Sequence, residues 1–363
     1  MAKLGDICTF QSGGTPSKSN SEYFNGSIPW ITSVALTGDY IDKNDAVDWI
    51  TDKAIQESAA KIVPENSIMV GTRVGIGKVA INTVPMSTSQ DIVSLINVND
   101  AEWDKRFLCK VISARNPYLL SQARGATIKG IKIDTLAKLE VPEITLNEQR
   151  RIATVLDKIS GLIDKRREQL DKLDELVKAR FVEMFGDPIN NTKGLPTTPL
   201  GEICYLKAGV TTASDEIHSQ SKEYSVPCYG GNGIRGYVKE ATQRGTYPII
   251  ERQGALCGNV QLAIGEFHAT EHAVLVSPII KTNVIWVYYL LKFMDLYRYH
   301  TGAAQPGLAV KTLNMVEIPC ADIGLQNEFA TFAEQVEKSK LTIQQSLDKI
   351  ETLKKALMQE YFG

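Results

Sequence analysis

The stretch Asn147–Gly186, NEQRRIATVLDKISGLIDKRREQLDKLDELVKARFVEMFG, decides the fold of this protein. Apolar side chains recur in it at intervals of three and four residues, the spacing that lines one face of an α-helix. The other face carries acidic and basic residues, no proline interrupts the run, and Gly161 is its one internal glycine. Such a helix would be roughly 55–60 Å long. It needs a partner for its apolar stripe, because helix propensity alone leaves it marginally stable.

The partner lies in the same chain, because the C-terminus repeats this stretch without a gap at an offset of 177 residues. A chance match between two charged helices would not continue through glycine and proline positions upstream, as this alignment does. At the front, Leu4–Cys8 corresponds to Leu200–Cys204. The sequence therefore predicts a tandem duplication in which a globular region precedes each of two long helices. Matched positions include Gln149 with Gln326, Leu170-Asp171-Lys172 with Leu347-Asp348-Lys349, Phe185-Gly186 with Phe362-Gly363, Thr135-Leu136 with Thr312-Leu313, and Pro142 with Pro319.

Composition excludes several classes of protein. No apolar run approaches the roughly 18 residues of a membrane span, and Met1–Leu4 lacks the apolar core of a signal peptide, so we expect a cytoplasmic protein. The six cysteines form no CxxC pair, which favours reduced thiols over a zinc site or disulfides. The net charge of −2 is spread evenly. It gives no support to a non-specific nucleic-acid binder, so any DNA contact must come from local patches.

The duplication divides the 363 residues into four segments. Residues 1–146 and 187–323 are predicted to be globular, and residues 147–186 and 324–363 to be long helices. Short β-branched runs between turn formers predict strands and a few short helices in the globular regions. One of these helices is predicted at Arg106–Ala123, and Asp187–Pro199 is predicted to be a linker.

Two glycine-rich stretches resemble nucleotide-binding motifs but lack their context. Gly231–Gly236 spells GxGxxG, yet Tyr237–Lys239 predicts a strand where the dinucleotide motif requires a helix, so we interpret it as a turn. Gly71–Lys78, GTRVGIGK, has the wrong glycine spacing for a phosphate loop and is followed by Val79 in place of the magnesium-binding Ser or Thr. Asn116-Pro117-Tyr118 lacks the second proline of an amino-methyltransferase motif. The sequence predicts no catalytic site.

Three stretches carry a resemblance to a known family. In these stretches, and in the arrangement of its globular regions and long helices, the chain resembles the specificity (S) subunit of type I restriction–modification systems. The resemblance covers essentially its whole length. The chain departs from longer relatives in having almost nothing before Leu4. The stretches are Gly13-Gly14-Thr15-Pro16 with Ile28-Pro29-Trp30-Ile31, Tyr229–Tyr237 (YGGNGIRGY), and Leu146–Ala153 (LNEQRRIA).

The resemblance implies an α+β fold, a pseudo-twofold tandem repeat. Two similar target recognition domains would be separated by two long helices that pack as an antiparallel coiled coil. Each domain would read one half of a bipartite site in double-stranded DNA. The helices would set the spacing and dock two methyltransferase (M) subunits, with restriction (R) subunits added for cleavage. The chain would be non-catalytic and hold no cofactor, since S-adenosylmethionine, ATP and magnesium would belong to the partner subunits.

Candidate DNA-binding residues lie in glycine-rich loops and are of the types that read base edges or hold phosphates. Each has an alternative interpretation as a solvated loop charge or a turn residue. Arg124, Lys129 and Lys132 also flank the helix entry, but the second repeat has Thr301, Pro306 and Ala309 there, so we predict no role shared by both repeats. The candidates are Thr15, Ser17, Lys18, Arg73, Lys78 and Gln90 in the first repeat and Tyr229, Asn232, Arg235, Arg252, Asn259 and His272 in the second.

Two other functions stay open on the sequence. A stand-alone DNA adenine methyltransferase would bind its cofactor as an isolated chain. A coiled-coil scaffold with protein-binding lobes would bind no DNA, even together with methyltransferase partners.

Overall fold

The computed structural model describes residues 1–38, 40–125, 129–302 and 306–363. They form two compact units: unit 1 comprises residues 1–165 with 347–363, and unit 2 comprises residues 166–346. Each unit contains one globular region and part of each long helix. The units combine parts of both helices with each globular region, so they do not test the boundaries of the four predicted segments. That division stays a prediction.

The globular part of unit 1 contains short strands: β1 (Ala2–Lys3), β2 (Thr9–Ser12), β3 (Phe24–Ile31), β4 (Tyr40–Ile41), β5 (Asp48–Ile50), β6 (Ile62–Val63), β7 (Ile68–Gly71), β8 (Val79–Asn82), β9 (Met86–Thr88), β10 (Ile92–Ile96) and β11 (Glu140–Val141). One sheet has the order β2-β10-β7-β8-β4 and another the order β5-β3-β9-β6. Pairing is antiparallel except between β4 and β8 and between β3 and β9. A short antiparallel pair, β1 with β11, ties the N-terminus to the segment before the first long helix.

The helices whose first residue lies in unit 1 are α1 (Leu4–Ile7), α2 (Asp52–Glu57), α3 (Lys105–Ala114), α4 (Asn116–Ser121), α5 (Ile133–Ala137) and α6 (Leu146–Phe185), with 3₁₀ turns at Ser21–Tyr23, Ser33–Ala35 and Lys43–Asp45. The single helix predicted at Arg106–Ala123 is wrong, because α3 and α4 are separate. Arg115 leaves helical geometry between them, with φ −86° and ψ 6°. Pro117 lies in the first turn of α4 and has no N–H to donate to the carbonyl of Ser113, so the hydrogen-bond ladder of α3 cannot continue through it.

Unit 2 contains the strands β12 (Thr197–Pro199), β13 (Cys204–Ala208), β14 (Val226–Gly230), β15 (Gly233–Val238), β16 (Gln243–Glu251), β17 (Val260–Ala269), β18 (Ala273–Pro278) and β19 (Glu317–Pro319). Its sheet has the order β13-β18-β16-β17-β14-β15, and β12 pairs with β19. β14 runs parallel to β17, and the other pairs are antiparallel. The helices are α7 (Leu200–Ile203), α8 (Val284–Phe293), α9 (Val310–Asn314) and α10 (Ile323–Phe362), with 3₁₀ turns at Ser214–Glu216 and Leu296–Tyr299.

Both long helices begin and end one residue earlier than predicted, and polar side chains hold their first turns. The Thr145 hydroxyl accepts a hydrogen bond from the backbone N–H of Glu148 (3.3 Å) at the start of α6. The Asp322 carboxylate accepts one from Gly324 (2.7 Å) at the start of α10. Gly186 ends α6 in the left-handed region with φ +79°, a conformation that glycine adopts without steric cost.

Most of the predicted apolar stripe is buried in the cores of the two units, whereas two of its leucines, Leu162 and Leu176, are about half exposed. In unit 2, the rings of Phe181 and Phe185 of α6 and Phe329 of α10 pack together with centroids 5.0–5.7 Å apart, and the Phe185 ring lies 6.0 Å from that of Trp286 of α8. In unit 1, Ile152 and Leu156 from the start of α6 share a core with Phe362 from the end of α10, and the Phe362 ring lies 5.6 Å from that of Phe107. The burial of the stripe, not helix propensity, stabilises helices of this length.

The two helices run antiparallel. Within unit 2, Asp174 of α6 pairs with Lys340 of α10 (2.8 Å), and Arg180, further along α6, pairs with Glu328, nearer the start of α10 (2.8 Å). Within unit 1, the last turns of α10 pack on the first turns of α6. The predicted α+β fold with paired antiparallel helices is confirmed.

A buried glutamine joins each long helix to its globular region in the same way. Gln149 is 1% exposed, accepts a hydrogen bond from the backbone N–H of Asp104 (2.9 Å), and donates to the carbonyl of Glu102 (3.0 Å). Gln326 is 4% exposed and accepts one from the N–H of Asn283 (2.9 Å). Asp104 and Asn283 cap α3 and α8. The two glutamines, matched by the offset of 177 residues, therefore occupy equivalent structural positions.

We expect the substitution Phe362→Ala to lower the free energy of unfolding of unit 1 by about 3–5 kcal/mol, because it leaves a cavity beside Phe107 in the buried core. Chemical denaturation followed by circular dichroism measures the change. The control is Leu353→Ala on the same helix, where the side chain is 51% exposed; a surface change of this kind stays within about 0.5 kcal/mol. Equal effects of both substitutions would contradict the packing described for α10.

Candidate nucleic-acid interface

The hairpin between β7 and β8 carries two of the predicted residues of unit 1. The backbone N–H of Gly71 donates a hydrogen bond to the Lys78 carbonyl (2.9 Å), and the N–H of Gly77 donates one to the Gly71 carbonyl (2.9 Å). Gly77 has φ +75°, which favours glycine. Arg73 and Lys78 are both exposed on this hairpin. The stretch thus connects two strands, and the rejection of a phosphate loop, which requires a following helix, is confirmed.

A second loop carries Thr15, Ser17 and Lys18, all exposed. Its base is the pair Gly13-Gly14, whose N–H groups donate to the carbonyls of Ile92 (3.0 Å) and Thr88 (2.9 Å). A Cβ atom on Gly13 would lie 2.1 Å from the Ser89 carbonyl oxygen, so only glycine fits there. The structure therefore anchors this loop beside the segment that exposes Gln90.

The same segment joins the loop to the hairpin. The carbonyl of Asp91 accepts a hydrogen bond from Thr72 N–H (2.8 Å), and the Asp91 carboxylate lies 3.9 Å from the Arg73 guanidinium. The backbone frame thus links the segments that carry all six candidates of the first repeat. Among the described residues, no hydrogen bond or ion pair joins the side chains of two of these six candidates.

In unit 2 the GxGxxG stretch is the hairpin between β14 and β15. Gly230 pairs with Gly233 around a tight turn, and Gly233 has φ +108°. The prediction of a turn is confirmed, since a strand follows it. Asn232 and Arg235 are exposed on this hairpin, and the stem of Arg235 covers Gly230, where a Cβ atom would lie 2.7 Å from Arg235 Cδ.

The hairpin between β16 and β17 carries Arg252 and Asn259. The Asn259 side chain donates a hydrogen bond to the Asn232 side chain and so joins this hairpin to the preceding one. Arg252 N–H donates to the carbonyl of His272 (3.1 Å). His272 and Arg235 line one cleft of about 290 Å³. Five of the six candidates of the second repeat are thus brought together around the two hairpins.

Tyr229, the sixth candidate, has a packing role. Its half-buried ring meets Phe267 edge-on at 5.5 Å, and its carbonyl accepts a hydrogen bond from Thr270 N–H (2.9 Å). Burial raises the pKa of the Tyr229 hydroxyl. Nearby, His268 bonds the Thr212 hydroxyl (2.7 Å), and burial lowers the pKa of this histidine, which favours its neutral form.

The hairpins of the two units share a backbone frame. Thr72 N–H donates to the Asp91 carbonyl in unit 1 as Arg252 N–H donates to the His272 carbonyl in unit 2. The N–H of Gly71 donates a hydrogen bond to the Lys78 carbonyl, and the N–H of Glu251 likewise donates one to the Asn259 carbonyl. Lys78 and Asn259, both predicted from the sequence to bind DNA, therefore occupy equivalent positions. The same correspondence pairs Asp91 with His272 and Thr72 with Arg252.

Sequence reasoning missed one group of basic residues. A cleft of about 560 Å³ in unit 1 is lined by Arg73, Arg124, Lys132 and Lys138, among others. Arg124 and Lys132 were set aside because the second repeat lacks them, and no pattern marked Lys138. The charge difference between the repeats was the signal that could have identified this cleft.

Other kinds of site are not observed in the part of the chain that the structure describes. No group of three or more His, Cys, Asp or Glu side chains there is placed to hold a metal ion. No helix within residues 1–38, 40–125, 129–302 and 306–363 combines the length and the hydropathy that crossing a membrane requires.

Comparison with known proteins agrees with this architecture. The sequence profile of the type I restriction modification DNA specificity domain matches residues 1–175 and 193–353. The chain is 32% identical to the type I restriction enzyme EcoprrI specificity subunit of Escherichia coli, over 96% of this chain and 87% of that protein. It is 29% identical to the MjaIX specificity subunit of Methanocaldococcus jannaschii, over 61% of this chain and 55% of that protein.

The fold is also similar to that of a solved protein. The crystal structure of the type I restriction–modification S subunit from M. genitalium superimposes with a TM-score of 0.68 at 19% identity, covering 99% of this chain and 95% of that one. Neither alternative function, a stand-alone methyltransferase or a scaffold, is supported by these matches. With both repeats matched by one family and the predicted fold present, the chain belongs to the non-catalytic DNA specificity subunits of type I restriction–modification systems.

Proposed function

We propose that the chain reads a bipartite site in double-stranded DNA, with residues 1–146 reading one half and residues 187–323 the other. The shared backbone frame of the hairpins carries this proposal. It presents Lys78 and Asp91 in unit 1 where unit 2 presents Asn259 and His272. Base edges are distinguished by their hydrogen-bond donors and acceptors, so equivalent frames with different side chains suit different base sequences.

The candidate DNA-binding residues lie on the segments that the two frames position. In unit 1 we assign Arg73, Lys78 and Gln90 to base edges and Thr15, Ser17 and Lys18 to phosphates, because hydroxyl and ammonium groups on a loop suit phosphate oxygens. In unit 2 we assign Asn232, Arg235, Asn259 and His272 to base edges. We assign Arg252 and Tyr229 to positioning these four residues. The Arg252 Nε is buried without a hydrogen-bond partner among the described residues, and Tyr229 is half-buried.

We also propose that the long helices dock two methyltransferase subunits. Each helix carries the same exposed residues at spacings of four, three and four, which place them on one helix face. Both leucines are about half exposed: Leu176 by 47% and Leu353 by 51%. Two copies of one surface suit two copies of one partner. The matching residues are Lys172, Leu176, Ala179 and Glu183 in unit 2 and Lys349, Leu353, Ala356 and Glu360 in unit 1.

The proposed division of labour places the chemistry on the partners. S-adenosylmethionine would be bound by the methyltransferase subunits, and ATP and magnesium by restriction subunits that join for cleavage. The complex would act in the cytoplasm, where cellular and incoming DNA are both accessible. The specificity chain contributes recognition, spacing and docking.

We expect the double substitution Asn232→Ala with Arg235→Ala to abolish reading of one half-site only, because both residues lie on one hairpin of unit 2. A bidentate base contact is worth about 1–3 kcal/mol, so binding should weaken roughly tenfold to a hundredfold. Selection of preferred sites from random DNA by the complex with methyltransferase subunits measures this. The control is Arg244→Ala, an exposed residue of β16 that lies seven residues, or roughly 23 Å of extended strand, before Glu251 at the other end of the strand. Equal loss of discrimination in both half-sites would refute the assignment.

We expect Leu176→Asp and Leu353→Asp each to reduce the number of bound methyltransferase subunits from two to one, and the double variant to bind none. A carboxylate would be buried without a partner at each docked face. Native mass spectrometry of the co-purified complex counts the subunits. Leu341→Asp is the control, because Leu341 is exposed on α10 and has Asp164 as its repeat equivalent. Two bound subunits in the double variant would exclude this surface.

We expect seven residues inserted into both α6 and α10 to widen the gap between the half-sites. Placing the insertions after Lys165 and after Ser346 keeps them opposite each other, and the added heptads keep the apolar seam aligned while adding about 10.5 Å. At about 3.4 Å per base pair the preferred gap should grow by about 3 base pairs. Binding itself should weaken, because the longer gap rotates one half-site by nearly a third of a turn.

Site selection with wild-type and lengthened complexes tests this role of the helices. The control carries seven residues inserted after Asn190, in the exposed segment between α6 and β12, and should keep the wild-type gap. An unchanged gap in the lengthened complex, bound as tightly as before, would show that the helices do not set the spacing.

A further inference from the structure

The basic cleft of unit 1 is built on a short backbone bridge. Arg124 and Gly130 exchange two N–H···O=C bonds of 2.9 Å, and Ile131 N–H donates to the Thr72 carbonyl (2.8 Å). A Cβ atom on Gly130 would lie 3.0 Å from Cγ of Arg73. The bridge therefore rests directly on the hairpin whose exposed residues are proposed to read bases.

Unit 2 builds the same bridge. Thr301 and Gly307 exchange two backbone bonds of 2.8 and 2.9 Å, and Leu308 N–H donates to the Arg252 carbonyl (2.8 Å). Each partner lies at the position equivalent to its counterpart in unit 1. A cleft of about 530 Å³ lies beside α9, as the basic cleft lies beside α5. The two clefts can therefore be compared residue by residue.

The cleft of unit 1 has a strong excess of positive charge. Arg73, Arg124, Lys132 and Lys138 line it, against one carboxylate, Asp134. The last three of these cations are exposed, and none of them forms an ion pair with another described residue. Unpaired cations on a concave surface attract an anionic ligand.

The equivalent cleft of unit 2 lacks this charge. Thr301, Ala309 and Met315 stand where unit 1 has Arg124, Lys132 and Lys138. The lining of this cleft contains one lysine, Lys311, and one glutamate, Glu317, whose charges cancel. The backbone is shared, so the charge of unit 1 is not required by the fold.

We infer that the cleft formed by Arg124, Lys132 and Lys138 binds backbone phosphates of duplex DNA beside the half-site that unit 1 reads, and that unit 2 has no equivalent phosphate grip. This inference rests on the proposed DNA-reading function. It deepens that function by assigning the electrostatic part of binding unequally to the two units.

Two observations favour a nucleic-acid backbone over an acidic protein surface. The bridge that carries Arg124 rests on Arg73, so a duplex read by this hairpin would pass its phosphates close to the cleft. Tyr118 also lines the cleft and is 46% exposed, and its hydroxyl is a type of donor common at phosphate oxygens.

The chain as a whole is slightly acidic, with a net charge of −2. A local cluster is therefore needed to hold a polyanion.

The test uses the complex of the chain with its methyltransferase subunits and a duplex containing the site found by methylome sequencing. We expect Lys132→Gln with Lys138→Gln to make log Kd less dependent on log salt concentration, by about 0.9 for each phosphate that the variant no longer neutralises. Between 50 and 200 mM KCl the wild-type complex should then lose about twelvefold more affinity than the variant, while base preference in both half-sites stays the same.

The matched control is Lys3→Gln with Lys43→Gln, two exposed lysines elsewhere in unit 1, which should leave the salt dependence at the wild-type value. The reciprocal variant, Ala309→Lys with Met315→Lys, should steepen it, because both positions are exposed and stand where unit 1 has Lys132 and Lys138. A wild-type salt dependence in the first variant, in a chain with an unchanged melting temperature, would overturn the inference. So would loss of methyltransferase subunits from that variant, which would identify the cleft as a protein interface. Failure of the wild-type complex to prefer any bipartite site would instead refute the proposed function.

Discussion

Burial of the apolar stripe on α6 and α10 is the constraint on which both units depend. Unit 2 closes its core with Phe181 and Phe185 from one helix and Phe329 from the other, all at most 2% exposed. Burying each ring contributes about 1.5–3 kcal/mol, and the edge-on contacts add about 0.5–1.5 kcal/mol per pair. Unit 1 likewise takes Leu156 and Phe362 into its core. Neither globular region therefore completes its core without residues from both long helices.

This dependence explains why the helices could be predicted from the sequence almost to the residue. A stripe that must be buried along forty residues leaves a regular pattern, and polar residues at Thr145 and Asp322 mark where it begins. The offset of 177 residues also identified Gln149 and Gln326, although not their role. That role became clear only in the structure, because the backbone groups that each glutamine bonds belong to other elements.

The proposed recognition surface was less predictable, because its equivalent positions in the two units do not follow one sequence offset. Gly13 corresponds to Gly209 through the backbone bonds of the two loops, an offset of 196, whereas Thr72 corresponds to Arg252 at 180. Loops of different length separate these positions, so an ungapped comparison does not align them. Nor can a sequence distinguish an aromatic residue on a reading loop from one that packs on a neighbouring ring, as Tyr229 does.

The shared frame separates the stability of the surface from its chemistry. Backbone hydrogen bonds fix the hairpins whatever the exposed side chains are, and most surface substitutions change stability by no more than about 0.5 kcal/mol. The glycines at the base of the loops have no such freedom. A Cβ atom on Gly13 would lie 2.1 Å from the Ser89 carbonyl oxygen, and one on Gly209 would lie 2.2 Å from that of Ala269. The residues proposed to read DNA can therefore diverge between the units, as Lys78 and Asn259 have, while the glycines that position the loops cannot.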